Sequence, residues 1–265
     1  MHIASLGSSF AAGPSIPPQL NAAARRSGAN YPSLVAKELG ATLTDLSASG
    51  ATLLNVLNEP QQTLLATLPP QISLLPADVD VVTLTAGGND LGYSAGMIGE
   101  AAQLTIDDRE LLGAMLEGMG LKKEGVVGAV DADEVRNRFV AIIDAIKAKA
   151  PKVRIYLVEY LTIFGHESRV LEDQPLGAER VEVYRGMAAE LARAYREAGE
   201  MRAGVEVVPI AKMSEGHALG SAEPWMTGYT AELLMRGGAP YHPNAAGHVA
   251  VAEELVKRMR GTSVL

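Results

Sequence analysis

Four short blocks of this sequence carry the residue types that acyl-transfer chemistry needs. Gly7-Ser8-Ser9-Phe10-Ala11-Ala12-Gly13 is followed by Ser47-Ala48-Ser49-Gly50, then by Gly87-Gly88-Asn89-Asp90, and finally by His242-Pro243-Asn244. Acyl transfer requires a nucleophile, a base to take its proton, and donors for the oxyanion that forms. Ser9 is the candidate nucleophile and His242 the candidate base. The Gly50 N–H and the Asn89 side-chain amide are the candidate oxyanion donors. Small residues around Ser9 leave its hydroxyl clear for a carbonyl carbon to approach. Pro243 restricts His242 to extended backbone and so limits where the imidazole points.

Taken singly, each residue also has an ordinary structural explanation. A serine often closes a strand, a loop glycine serves a positive φ, and an asparagine commonly closes an Asx-turn. Asp90 reads as a cap or loop brace rather than a reactant. The glycine-rich first block lacks the lysine of a phosphate-binding P-loop and follows neither nucleotide fingerprint. His248 lies six residues beyond His242, which is not the i, i+4 spacing of a helical metal pair, and no third ligand accompanies them. No metal is expected, and His248 is expected to pack or face solvent.

The elements that must hold these residues alternate between strand and helix. Strands are predicted at His2–Leu6, Ala41–Leu46, Val79–Thr85, Val153–Val158 and Val205–Val208. The third and fourth are nearly continuous apolar runs, as in parallel strands covered on both faces. Helices are predicted over Glu134–Ala150, Glu179–Gly199 and Ala245–Arg260. In the first, Val135, Phe139, Ile142, Ile143 and Ile146 form one stripe, with Asp131 or Asp133 as cap and Pro151 as stop. In the last, Val249, Ala252, Val256 and Met259 are expected along the buried side. The pattern predicts a doubly wound three-layer α/β/α sandwich around about five parallel strands.

Residues 1–265 read as one domain with two insertions, at about 91–130 and 210–241. The first carries Met97, Met115 and Met119, and the second the single tryptophan, Trp225. Such insertions either line a site or decorate the surface.

Composition narrows the partners. The formal charge is -8, with 23 Lys and Arg against 31 Asp and Glu, which argues against nucleic-acid binding. There is no cysteine, so disulfides and thiolate metal sites are excluded. No basic segment with an apolar h-region is visible ahead of the first strand, so no leader is expected within this sequence, and no apolar run reaches the ~18 residues of a membrane span. The expected location is the cytoplasm, or outside the cell if a leader was removed before residue 1. Oligomeric state is not legible.

The ordered blocks Gly-Ser-Ser-Phe-Ala-Ala-Gly, Ser-Ala-Ser-Gly, Gly-Gly-Asn-Asp and His-Pro-Asn-Ala-Ala-Gly-His resemble those of the SGNH hydrolase superfamily, the GDSL-like esterases and lipases. The resemblance runs from Ser5 to His248. It implies a flavodoxin-like sandwich and hydrolysis of esters of lipids, small alcohols or acylated sugars without a cofactor. It implies Ser9 as nucleophile, His242 as base, and an oxyanion hole of the Ser9 N–H, Gly50 N–H and Asn89 amide. Two positions depart from the pattern. Ser8 stands where the family usually has aspartate, and Ala239 stands three residues before the histidine, where the triad acid normally lies. A Ser9–His242 dyad is therefore expected, with the carbonyl of Ala239 or Pro240 as third partner; Glu223 is the alternative acid.

The expected activity is a serine carboxylesterase acting on a small ester, with short to medium acyl chains favoured because no long apolar lid helix is evident. Trp225 and the methionine-bearing insertion are candidate walls of the acyl pocket. An acidic surface disfavours action on anionic membranes. Two other readings use the same scaffold: an acyltransferase, and a non-catalytic ligand-binding module.

Overall fold

Five short runs of aliphatic and β-branched residues pair side by side and form the centre of the molecule. The computed structural model describes residues 1–118, 121–122, 125–126, 129–166 and 174–261. The strands are β1 (His2–Gly7), β2 (Thr42–Asp45), β3 (Val81–Thr85), β4 (Arg154–Val158) and β5 (Val205–Val208). They form one sheet in the order β5-β4-β3-β1-β2, and every neighbouring pair is parallel. The chain leaves β1 for β2 on one side and returns to β3 on the other. This reversal opens a crevice at the carboxyl ends of β1 and β3, the usual ligand position in such sheets. Observed strand limits fall within two residues of those predicted.

Among the described residues ten helices accompany the sheet: α1 (Ser9–Ala12), α2 (Tyr31–Leu39), α3 (Leu53–Leu57), α4 (Tyr93–Thr105), α5 (Arg109–Gly118), α6 (Ala132–Lys149), α7 (Ala178–Glu200), α8 (Ile210–Met213), α9 (Ala231–Met235) and α10 (Ala245–Gly261). In α6 the Asp131 side chain accepts from Glu134 N–H and caps the helix, and Lys147 and Lys149 complement its other end. Its predicted stripe is wholly buried. α6 packs against α7 and α3, while α10 packs against α2.

Helix α2 was not among the expected helices, although its signals are strong. Asn30 accepts from Ser33 N–H at its start, and Gly40 closes it in the left-handed region at φ 60°. In α10 one expectation fails, because Val249 is 44% exposed. The buried stripe is centred on His248, Val251, Ala252, Leu255, Val256 and Met259. Val249 lies beyond its edge.

The first insertion holds α4, α5 and a hairpin of Leu121–Lys122 with Gly125–Val126; the second holds α8, α9 and a 3-10 turn at Glu215–His217. Met97 is buried in the core, whereas Met119 lies outside the described residues.

The end of β1 is the tightest point of the sheet. Ser8 N–H donates to the Thr85 carbonyl at 2.8 Å, and both backbone groups of Gly7 bond to the Gln71 amide at 2.8 and 2.9 Å. Gly7 has φ 141°, and a Cβ there would lie 2.2 Å from the Thr85 oxygen. Gly7→Ala therefore has to push β1 away from β3. It is expected to cost at least about 2 kcal/mol, roughly a 5 °C fall in Tm by thermal denaturation. An unshifted Tm would show that the crevice edge is pliable.

Candidate active site

Ser9 is the first residue of α1, immediately after β1 turns away from the sheet. As the first helical residue, its N–H has no intrahelical acceptor. Only one turn long, α1 closes at Gly13 (φ 70°), whose N–H returns to the Ser9 carbonyl at 3.0 Å. The nucleophile candidate thus sits in a rigid elbow, 4% exposed.

His242 reaches it from the other end of the sequence. Ser9 Oγ lies 2.8 Å from His242 Nε2, and His242 Nδ1 lies 2.8 Å from the Pro240 carbonyl oxygen. A carbonyl can only accept, so Nδ1 carries the proton and donates it to Pro240. Nε2 is then left as an acceptor for the Ser9 hydroxyl. The local backbone makes this contact possible, since Tyr241 adopts a left-handed φ of 57° between the two partners. A second segment braces the turn. Tyr241 N–H donates to the Thr227 carbonyl and Thr227 N–H to the His242 carbonyl, each at 2.8 Å.

Burial sets the basicity of this imidazole. Loss of water pushes its pKa down to about 4, the Pro240 contact partly opposes this, and the Arg25 charge adds to the fall. None of the described carboxylates hydrogen-bonds His242. Glu223, the alternative acid, is exposed, and its backbone carbonyl bonds His217.

The other two blocks meet the elbow at the ends of β2 and β3. Ala48 N–H donates to the Gly7 carbonyl at 3.0 Å, and the Asn89 side-chain amide donates to the Ala51 carbonyl at 2.9 Å. The three loops are therefore bonded in sequence across adjacent strand ends. Gly50 has φ 83°, and no described residue accepts its N–H. A side-chain amide has two N–H donors, so one of those on Asn89 remains free beside Ala51. The Ser9, Gly50 and Asn89 groups can each donate to a nearby oxygen.

Asp90 holds this arrangement in place. Its buried carboxylate accepts from Leu53 N–H at the start of α3 and pairs with Arg138 Nη1 at 2.9 Å. Burial raises its pKa, against the pull of both donors. Ser8, in the place of the family's aspartate, is fully buried, and its hydroxyl lies 2.6 Å from that of Tyr160. Tyr160 in turn stacks on Phe10 at 4.0 Å and presses on Gly88, where a Cβ would lie 2.6 Å from the ring.

Two further residues singled out in the sequence lie around this centre. Trp225 is half-buried and stacks face to face on His217 at 3.8 Å; its carbonyl accepts from Asn244 N–H just after His242. His248 is buried, and its Nδ1 accepts from Tyr31 N–H at 3.0 Å. Its Nε2 has no partner, and burial pushes its pKa down to about 3. Sequence reasoning missed Tyr160 and Arg25. Tyr160 follows the carboxyl end of β4, a position that could have marked it. Arg25 ends an alanine turn, Ala22-Ala23-Ala24-Arg25, that carries no such signal.

Comparison with known proteins places these features in a family. The GDSL-like lipase/acylhydrolase family matches residues 5–250. Lipase 2 of Streptomyces coelicolor is 29% identical over 262 residues, covering 94% of this chain and 82% of its own length. Among solved structures, phospholipase A1 from Streptomyces albidoflavus NA297 superposes with a TM-score of 0.73 at 20% identity, covering 97% of this chain and 98% of that one. The extracellular lipase from Streptomyces rimosus gives 0.70 at 20% identity, covering 98% and 99%. At such identity these two establish the likeness of fold.

The two buried histidines yield a pH prediction. Both are depressed below 6.5, so unfolding takes up protons below that pH. Stability is full above about 6.5 and falls as pH drops toward the folded values. His242 is expected to stay neutral until about pH 4 when its ring nitrogens are followed by 1H–15N NMR. A midpoint near 6.5 would contradict its burial.

Proposed function

This chain belongs to the GDSL-like lipase/acylhydrolase family and is a carboxylic ester hydrolase, and we propose that Ser9 and His242 perform the reaction as a dyad steadied by the Pro240 carbonyl. The observation that carries this reading is the continuous line from Ser9 Oγ to His242 Nε2 and from Nδ1 to Pro240 O, 2.8 Å at each link.

In the proposed cycle His242 Nε2 takes the Ser9 proton as Oγ attacks the ester carbonyl. The oxyanion is held by the Ser9 and Gly50 N–H groups and the free N–H of Asn89. Collapse expels the alcohol, which receives the proton from His242, and leaves an acyl-enzyme. Water then gives its proton to Nε2 and attacks the acyl carbon; collapse releases the acid, and Nε2 returns the proton to the departing Ser9 Oγ. The Pro240 carbonyl fixes the tautomer and orients the ring, two tasks a triad aspartate performs; as a dipole it stabilises the imidazolium less than a full charge would.

Short to medium acyl chains are the proposed substrates, with the half-buried indole of Trp225 as apolar surface for the chain. Among the described residues no helix is long and apolar enough to cross a membrane. The proposed setting is the cytoplasm, or outside the cell if a leader precedes this sequence.

The deciding assay uses p-nitrophenyl esters from acetate to decanoate with wild type, Ser9→Ala and Asn89→Ala. Activity is expected to peak at the shorter chains and to vanish with Ser9→Ala; turnover surviving that change removes Ser9 as nucleophile. Losing one side-chain oxyanion donor costs roughly 2.7–4 kcal/mol, so Asn89→Ala should slow kcat about a hundredfold or more. Near-normal turnover would make Asn89 a brace for Ala51 only.

A further inference from the structure

Three non-glycine residues among those described hold a left-handed backbone: Ser15 (φ 69°), Arg25 (φ 48°) and Tyr241 (φ 57°). Such backbone is unfavourable for residues with a Cβ, and it collects at functional sites. Two of them lie close in sequence to the dyad. Tyr241 precedes His242, and Ser15 lies just beyond the glycine that closes α1. Arg25 occupies the turn between two short strands, Gln19–Asn21 and Arg26–Ser27. Its Nη2 donates to the Gly237 carbonyl at 2.6 Å and to Ser15 Oγ at 3.4 Å. The carbonyl of the preceding Ala24 accepts from Ser49 N–H at 2.9 Å, next to Gly50. One turn thus touches the surroundings of Ser9, Gly50 and His242.

The two arginines of this turn have different work. Arg26 is committed to the fold, through Ser47 O at 2.7 Å and Asp45 at 3.6 Å. Arg25 is exposed, and no described carboxylate pairs with it. A guanidinium carries five N–H donors in a planar fork suited to carboxylate and phosphate. Only Nη2 is engaged here, which leaves Nε and Nη1 free. The Arg25 charge also reaches the buried imidazole and disfavours its protonated form. A cation in that position hinders the imidazolium that forms whenever Ser9 gives up its proton. An anion brought by the substrate would cancel the hindrance.

We propose that Arg25 is a specificity-determining residue that grips an anionic group, phosphate or carboxylate, on the alcohol part of the ester. The alcohol side follows from the tie to Gly237, on the His242 flank, because His242 delivers the proton to the departing alcohol. This inference rests on the dyad reading above. Pairing has two effects: charge-assisted hydrogen bonds hold the substrate, and the neutralised guanidinium no longer opposes the imidazolium. Anionic esters gain in KM through the first and in kcat through the second. The net acidic surface repels anions at a distance, so discrimination in their favour has to come from a local cation such as this one.

The test compares butyryl esters of glycerol, glycerol 3-phosphate and glycolate at constant ionic strength, by titrating the released acid. Wild type is expected to favour at least one anionic ester over the neutral one, and the favoured arm identifies phosphate or carboxylate. In Arg25→Gln the anionic-to-neutral ratio of kcat/KM should fall about tenfold or more, the scale of a hydrogen bond to a charged group. Arg25→Lys should retain part of the preference. Equal losses on all esters would make Arg25 merely a strap between Ser15 and Gly237 and overturn the proposal. If Arg25→Gln fails to fold, wild type alone decides, because anionic esters no better than the neutral one overturn it equally. A wild type inert on every ester would instead remove the dyad reading.

Discussion

A neutral imidazole with only one possible proton arrangement is the constraint on which the site depends. The Pro240 carbonyl is the acceptor that imposes it. Without a charged partner, His242 is buried more cheaply than a full triad would be, because no carboxylate has to be stripped of water beside it. The consequence is a base that is weaker than usual, yet unprotonated across the whole neutral range. Geometry has to make up the difference. The left-handed Tyr241, the paired contacts with Thr227 and the tilted Phe10 ring 5.4 Å away all limit its freedom.

The opposite wall of the crevice uses charge where this wall avoids it. Asp90 is buried with Arg138 and the N-terminus of α3, so the Asn89 loop, α3 and α6 form one unit. Removing either member of such a pair typically costs about 3–5 kcal/mol, which ties the loop's position to global stability. Tyr160 links that wall to the elbow. Its hydroxyl bonds Ser8 while its ring leaves room only for glycine at position 88. A neutral serine suits this buried spot, since its partners are a phenol and the Thr85 carbonyl.

Much of this was legible in the sequence because it is local. The apolar runs of β3 and β4, the stripe of α6 and its Asp131 cap depend on residues a few positions apart, and they lie where periodicity and capping put them. The first three blocks were readable because each follows a strand, and a parallel sheet gathers its strand ends on one side; the fourth lies just ahead of α10. Long-range chemistry was less visible. The buried partner of Ser8 is 152 residues away, and Arg25 bonds the Gly237 carbonyl, 212 residues on. Val249 was misplaced because a four-residue stripe does not reveal which flank of a helix meets the next layer.

Ser9 and His242 stand 233 positions apart in the chain, and this separation governs when the site can exist. Loop closure over such a span comes late in folding, after local elements have formed. Synthesis runs from the amino terminus, so Ser9 is made 233 residues ahead of His242. The hydrogen bond between them therefore waits for the chain that separates them.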